Sequence, residues 1–237
     1  MEMNVRYTCK DTTEATAAAA LRMDSVQVGE LIHNIPQLDS IMPMLRSFDG
    51  SVASDLAAQC RLKSNMDVDL PSLNAGIWLR GEDLVLMDGE TFSEIAKMLM
   101  FSKKTRNIID SLSVEVLVKN NEVEIFPFML AMDKYKVGVG GKQNLDGSFD
   151  YHISVFKPIQ LGLDVYGNDF DHIRFKLVKC KYQSASTRIG KGGTLLRQQD
   201  ANVIPSMQGS IRSYIWDLSK QEETKKEEPK KEQPTKQ

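Results

Sequence analysis

From Ser51 to Tyr182, apolar and polar residues alternate with a period of two, the pattern of half-buried strands. Val52, Leu56, Ala58, Cys60 and Leu62 fall on one side, with Asp55, Gln59, Arg61 and Lys63 on the other. Met66, Val68 and Leu70 alternate with Asp67 and Asp69. Leu73, Ala75, Ile77 and Leu79 alternate with Asn74, Gly76, Trp78 and Arg80. Gly81-Glu82-Asp83 reads as a turn before a short strand, Leu84–Met87. Leu112, Val114, Val116 and Val118 continue the pattern, and Asn120-Asn121 reads as a hairpin turn. Val123, Ile125 and Met129 follow, with Phe126, Phe128 and Leu130 making the middle of that strand apolar on its other face as well. Tyr135, Val137 and Val139 come next, and Gly138, Gly140 and Gly141 predict a bulge or sharp bend among them. Phe149, Tyr151, Ile153 and Val155, then Leu161, Leu163 and Val165, and finally Ile173, Phe175 and Leu177 complete the set, with turns at Asp146-Gly147 and Gly167-Asn168.

Helical periodicity appears in three places. Leu31, Ile32 and Ile35, then Leu38, Ile41, Met42 and Leu45, fit short helices within Val28–Phe48, broken at Pro36 and Pro43. Thr91 and Glu94 form a capping box for a helix over Thr91–Phe101 whose stripe is Phe92, Ile95, Met98 and Leu99. Val203, Met207, Ile211, Tyr214 and Leu218 mark an amphipathic helix. The expected fold is therefore α+β, mainly β: a long curved antiparallel β-meander with one apolar face, flanked by short helices and a C-terminal helix. Residues 1–20, polar and then alanine-rich, read as a leader continuing a missing N-terminal region, and a short strand follows at Leu21–Asp24. Residues 21–183 read as the β-domain, 184–219 as linker and amphipathic helix. Residues 220–237 read as a disordered Lys/Glu/Pro/Gln tail.

Composition narrows the function. Among 237 residues the formal net charge is −2, with no basic stripe, which argues against nucleic acid as a partner. Apolar residues at 41% are enough for a core. No run of about 18 apolar residues exists to span a membrane, and the first residues lack the apolar core of a secretory signal. Cys9, Cys60 and Cys180 are too few and too scattered for a disulfide framework or a zinc site. Cys60 and Cys180 read as small buried hydrophobes, with one bridge open to them in an oxidising compartment.

Candidate chemistry is sparse. There is no G-x-S-x-G, H-E-x-x-H or Walker A pattern. Gly138–Lys142 and Gly190–Thr194 fail the spacing of a phosphate loop. His33, His152 and His172 are not at ligand spacing from one another, and His152 falls on the polar side of its strand, facing solvent. Asp169, Asp171 and His172 share one turn, where Asp is an ordinary turn former. No catalytic, cofactor or metal site is expected. The candidate functional surface is the apolar face itself, carried by Leu112, Val114, Val116, Val118, Val123, Ile125, Phe149, Tyr151, Ile153 and Val155.

The order of elements and several phrases resemble the C-terminal region of the AsmA family of bacterial envelope proteins. The resemblance runs over about residues 21–182. It is carried by Leu21-Arg22-Met23-Asp24-Ser25, by Met42 to Gly50 and by Met66 to Ala75. The most specific stretch is Leu84 to Phe101, followed by Ile108 to Leu112, Glu124 to Phe128, Asp133-Lys134-Tyr135 and Phe149 to Val155. It implies a non-enzymatic β-groove on the periplasmic side of the inner membrane. Such a groove handles phospholipid in outer-membrane biogenesis and has no cofactor. The chain departs from the family in lacking an anchor and most of the groove, in a short connection at Phe156–Leu161, and in a likeness that fades after Tyr182. It looks truncated. The competing expectation is a closed scaffold for outer-membrane protein assembly that meets envelope partners through its C-terminal helix. A hydrolase or metal enzyme is a distant third.

Overall fold

The computed structural model describes residues 2–11, 14–34, 46, 48–86, 107–132, 135–145, 147–157, 160–169, 172–182 and 203–226. The strands are β1 (Glu2–Asp11), β2 (Glu14–Gln27), β3 (Phe48–Asp49), β4 (Ser51–Leu62), β5 (Asn74–Leu86) and β6 (Asn107–Lys119). They continue with β7 (Glu122–Met132), β8 (Tyr135–Asn144), β9 (Phe149–Lys157), β10 (Leu161–Gly167) and β11 (Arg174–Val178). Helix α1 is Val28–Asn34 and helix α2 is Val203–Lys226. All described strands join one 11-stranded sheet in the order β1-β2-β4-β5-β6-β7-β8-β9-β10-β11, with β3 beside β5. Every pairing is antiparallel, so the sheet is a meander with one apolar face, as the alternation predicts. The β6–β7 hairpin turns through Asn120 and Asn121, both at positive φ, as a two-residue loop of the mirror-image type requires.

Several expectations change. Residues 2–11 and 14–20 are not irregular: they form β1 and much of β2, well before the short strand expected at Leu21–Asp24. Alanine is a weak strand former, which hides β2 from a propensity reading. Met66, Val68 and Leu70 do not make a strand. They lie in the β4–β5 connection, where Met66 takes positive φ and only Val68 bridges, to Leu62. Gly81-Glu82-Asp83 is no turn, because β5 runs through it in unbroken register with β6. The tail reading fails over 221–226, where α2 continues. The helix expected over Thr91–Phe101, the second helix of Val28–Phe48 and the linker at 184–194 lie outside the described residues.

One correction moves side chains between faces. A bulge lies in β7, between Ile125 and Phe128, rather than in the glycine strand opposite. An extra residue there reverses the inside–outside alternation. Ile125 and Phe128 consequently share the apolar face, Leu130 joins them, and Met129 leaves it.

Helix α2 covers the opposite face of β2, β4 and β5. Its seat is a row of small residues in register across three strands: Ala20 on β2, Ala57 on β4 and Gly76 on β5. Ala18 and Ala57 pack with Ile211 of the helix. A side chain at Gly76 would have its Cβ 3.1 Å from Gln208 Cγ and 3.4 Å from Ile204 Cγ2. Polar ties fix the helix position. Gln208 Nε2 donates to the carbonyls of Asp55 (2.9 Å) and Gly76 (3.2 Å), and Arg212 pairs with the Asp55 carboxylate.

Candidate functional site: one apolar face, sealed and open

The ten candidate residues share one face. Val116 lies opposite Ile125, and Val118 opposite Val123. Ile125 then leads through Gly141 to Tyr151, and Val123 through Gln143 to Phe149. Val139 faces Ile153 and Val137 faces Val155. Val114, Val116, Val118, Val123, Ile125, Phe149, Tyr151, Ile153 and Val155 are all buried in one cluster, and Leu112 is partly buried against it.

Burial here follows from curvature. In a flat sheet β5 and β9 would stand about 19 Å apart, four spacings of ~4.8 Å. Yet Leu79 of β5, Val114 of β6, Val139 of β8 and Tyr151 of β9 line one cavity, closed further by Val28 of α1 and Phe48 of β3. That cavity measures about 50 Å³. An apolar cavity that admits benzene is about 150 Å³, so this space holds no acyl chain as it stands. The candidate residues form a sealed core.

The same face behaves differently at its other end. Met3, Val5 and Tyr7 of β1 stand opposite Leu21, Ala19 and Ala17 of β2, and Leu21 and Ala19 stand opposite Leu56 and Ala58 of β4. They therefore continue the apolar face, but they are 60%, 57% and 51% exposed. Val123, on that face four strands past β2, is 0% exposed. The alanines of β2 leave little bulk beside Val5.

Two polar features escape the alternation reading. Gln143 is buried on the apolar face, and its Oε1 accepts a hydrogen bond from Tyr151 OH at 2.9 Å. Burial raises the Tyr151 phenol above its ordinary range, so it stays a donor. On the other face, His152 is buried rather than facing solvent. Its Nδ1 lies 2.5 Å from Asp164 Oδ1 and its Nε2 2.8 Å from Ser154 Oγ. The backbone N–H of Lys181 reaches both Nε2 and Ser154 Oγ at 3.1 Å, and Lys181 Nζ pairs with Asp164 at 2.8 Å. The Tyr182 ring stands edge-on to the imidazole.

Ser154, His152 and Asp164 thus have the spacing of a nucleophile, its base and an orienting carboxylate. Ser154, however, is 0% exposed and accepts the N–H groups of Lys181 and Tyr182, where an acyl group would have to sit. The arrangement works as a latch that holds residues 179–182 against β9 and β10. Burial lowers the His152 pKa despite the opposing effect of its hydrogen bond to Asp164. Burial alone would raise Asp164, but the hydrogen bonds from Lys181 and His152 outweigh it and hold the carboxyl low. A neutral imidazole donating from Nδ1 to Asp164 and accepting at Nε2 satisfies every partner.

The other candidates stay apart. Asp169 accepts from the His172 backbone and ring in one exposed turn. Asp69 pairs with Arg61, and Asp67 with Asn65. No cluster of three or more metal-ligating side chains occurs among the described residues. Cys9, Cys60 and Cys180 form no disulfide with one another, and Cys60 and Cys180 are only partly buried, not core residues. No helix among the described residues is long and apolar enough to cross a membrane. No family model, curated protein or solved structure matches this chain.

Proposed function

We propose that this chain is a non-enzymatic segment of an AsmA-like envelope protein, working on the periplasmic side of the inner membrane in outer-membrane biogenesis. Its apolar face meets phospholipid chains at the β1–β2 end and is stopped at the β6–β9 end. One observation supports this reading above the others: a single continuous apolar face changes from 57% exposed at Val5 to fully sealed at Val123. An open apolar row on a soluble surface is costly unless something apolar visits it. Beside the row, Ala17 and Ala19 of β2 add little side-chain bulk, which leaves Val5 and Tyr7 accessible to an apolar chain. The resemblance over residues 21–182 supplies the lipid class and the compartment.

A photo-crosslinking amino acid placed at Val5 tests this in cells. Lipid adducts are expected at Val5, with few at Thr8 on the opposite side of the same strand or at buried Val123. Equal capture at Val5 and Thr8 would sink the proposal. The sealed core favours the second reading for β6–β9 alone, a closed scaffold, with α2 as its partner-binding element. Under that reading no position captures lipid, and protein adducts appear along α2 instead.

A further inference from the structure

The face opposite the sealed core carries a second row of small residues, several strands away from the seat of α2. Gly138 on β8, Ser154 on β9 and Gly162 on β10 stand in register. Residues 179–182 follow β11, adopt no regular structure and lie across this row as a strap. A Cβ at Gly162 would lie 2.5 Å from the Lys179 carbonyl oxygen, and a Cβ at Gly138 would lie 3.3 Å from the Tyr182 ring. A Cβ at Gly140 would lie 2.9 Å from the Tyr182 hydroxyl. The strap therefore runs close against the backbone, over β10 and β9 to β8.

We propose that protonation of His152 releases this strap while the sheet stays folded. The donors and acceptors carry the argument. The neutral ring accepts the Lys181 N–H at Nε2 (3.1 Å), and Ser154 Oγ accepts the N–H groups of Lys181 (3.1 Å) and Tyr182 (3.4 Å). Protonation places a hydrogen on Nε2, so two donors face each other across 3.1 Å. The acceptor beside both, Ser154 Oγ, has two lone pairs and already takes two strap N–H groups. A third donor leaves one N–H unsatisfied in a buried site, and lifting the strap relieves it. The remaining charged tie, Lys181 Nζ to Asp164, is half exposed on the lysine side and holds the strap weakly alone.

Every neighbour of the ring enters this balance. Asp164 on β10 and Asp150 on β9 favour the imidazolium, and Lys181 on the strap opposes it. The Tyr182 ring meets it edge-on. Strand β8 sets Gly140 opposite His152 and adds no charge there. Lys142 and Lys176 stand farther out, opposite Asp150 and Asp164. Burial outweighs the carboxylates, so the strap bonds are complete above the ordinary histidine range and are lost below it. The β10–β11 ladder ends at Val178, and the core lies on the other face, so neither depends on residues 179–182. The release is independent of what the apolar face binds.

Cys180 reports on the strap, because its thiol donates to the Val155 carbonyl at 3.4 Å. In a Cys9→Ser, Cys60→Ser background, its reaction with 4,4′-dithiodipyridine is timed against a short peptide of the same local sequence, which corrects for the pH dependence of the reagent. From about pH 7.5 to pH 5 the corrected rate is expected to rise about fivefold or more, with far-UV circular dichroism unchanged. His152→Gln is expected to abolish the rise. Tyr182→Ala, which keeps the imidazole, is expected to react at pH 7.5 as fast as the parent does at pH 5. A corrected rate that is flat with pH overturns the proposal. So does an equal rise in His152→Gln, a rise that comes with loss of the circular dichroism signal, or a Tyr182→Ala variant as slow as its parent at pH 7.5.

Discussion

His152 on β9 and Asp164 on β10 are cross-strand partners, with Nδ1 of the imidazole 2.5 Å from Oδ1 of the carboxylate. Around them stand Lys181, Ser154 and Tyr182, with Asp150 on the same strand. The imidazole is held neutral by burial, which sets the sign of a pH effect. Above about pH 6.5 the folded and unfolded chains both carry neutral His152. As the pH falls below that value the unfolded chain binds the proton first, so stability declines toward the lowered folded pKa. Denaturant midpoints at about pH 7.5 and pH 5.5 should show this decline, with a shallower slope in His152→Gln. An unchanged slope in the variant would show that His152 carries no part of it. At neutral pH the variant should lose about 1–3 kcal/mol, because Asp164 and the Lys181 N–H lose a buried partner.

Glu115 should act in the opposite direction. Its Oε2 is buried with no hydrogen-bond partner among the described residues, and burial raises its pKa. A raised carboxyl contributes stability at low pH that is lost as the pH rises through the folded pKa. Glu115→Gln should therefore raise Tm at neutral pH, with the gain shrinking on acidification. A lower Tm for the variant at neutral pH would show that the charge has a partner.

At Gly141, β8 leaves no room for a side chain beside β9. A Cβ there would lie 2.3 Å from the Asp150 carbonyl oxygen and 2.6 Å from Tyr151 Cα, both backbone atoms. Gly141→Ala should cost about 3 kcal/mol or more, because the two strands must separate. Gly29→Ala is the contrast: nothing lies within 4 Å of that Cβ, and the site is helical. That variant should be neutral or gain up to about 1 kcal/mol. Thermal melts of both variants provide the comparison.

Gln208 should anchor α2 more than its place on an amphipathic helix implies. Gln208→Leu removes both bonds to the Asp55 and Gly76 carbonyls, at an expected cost of about 1–3 kcal/mol. Limited trypsin digestion should then cut α2 at Arg212 faster than in the unaltered chain. Equal cutting would mean that Ile204 and Ile211 hold the helix without it.

The sequence by itself determined the strands of period two, the hairpin at Asn120-Asn121, the helix starting at Val203 and the single face shared by Val116, Ile125, Tyr151 and their neighbours. Those features are local: alternation is written in consecutive side chains, and a positive-φ turn in two residues. Tertiary structure decided the rest. Ala15 to Ala20 form a strand because a row of small residues seats α2, which no propensity records. Phe128 turns inward because a bulge shifts the alternation of β7 by one residue. His152 is buried because residues 179–182 fold back over it from a distant part of the chain. Whether the apolar face is open or sealed depended on curvature, which brings β5 and β9 around one small cavity while β1 remains at the edge. Curvature is a property of the whole sheet, so no single strand in the sequence carries it.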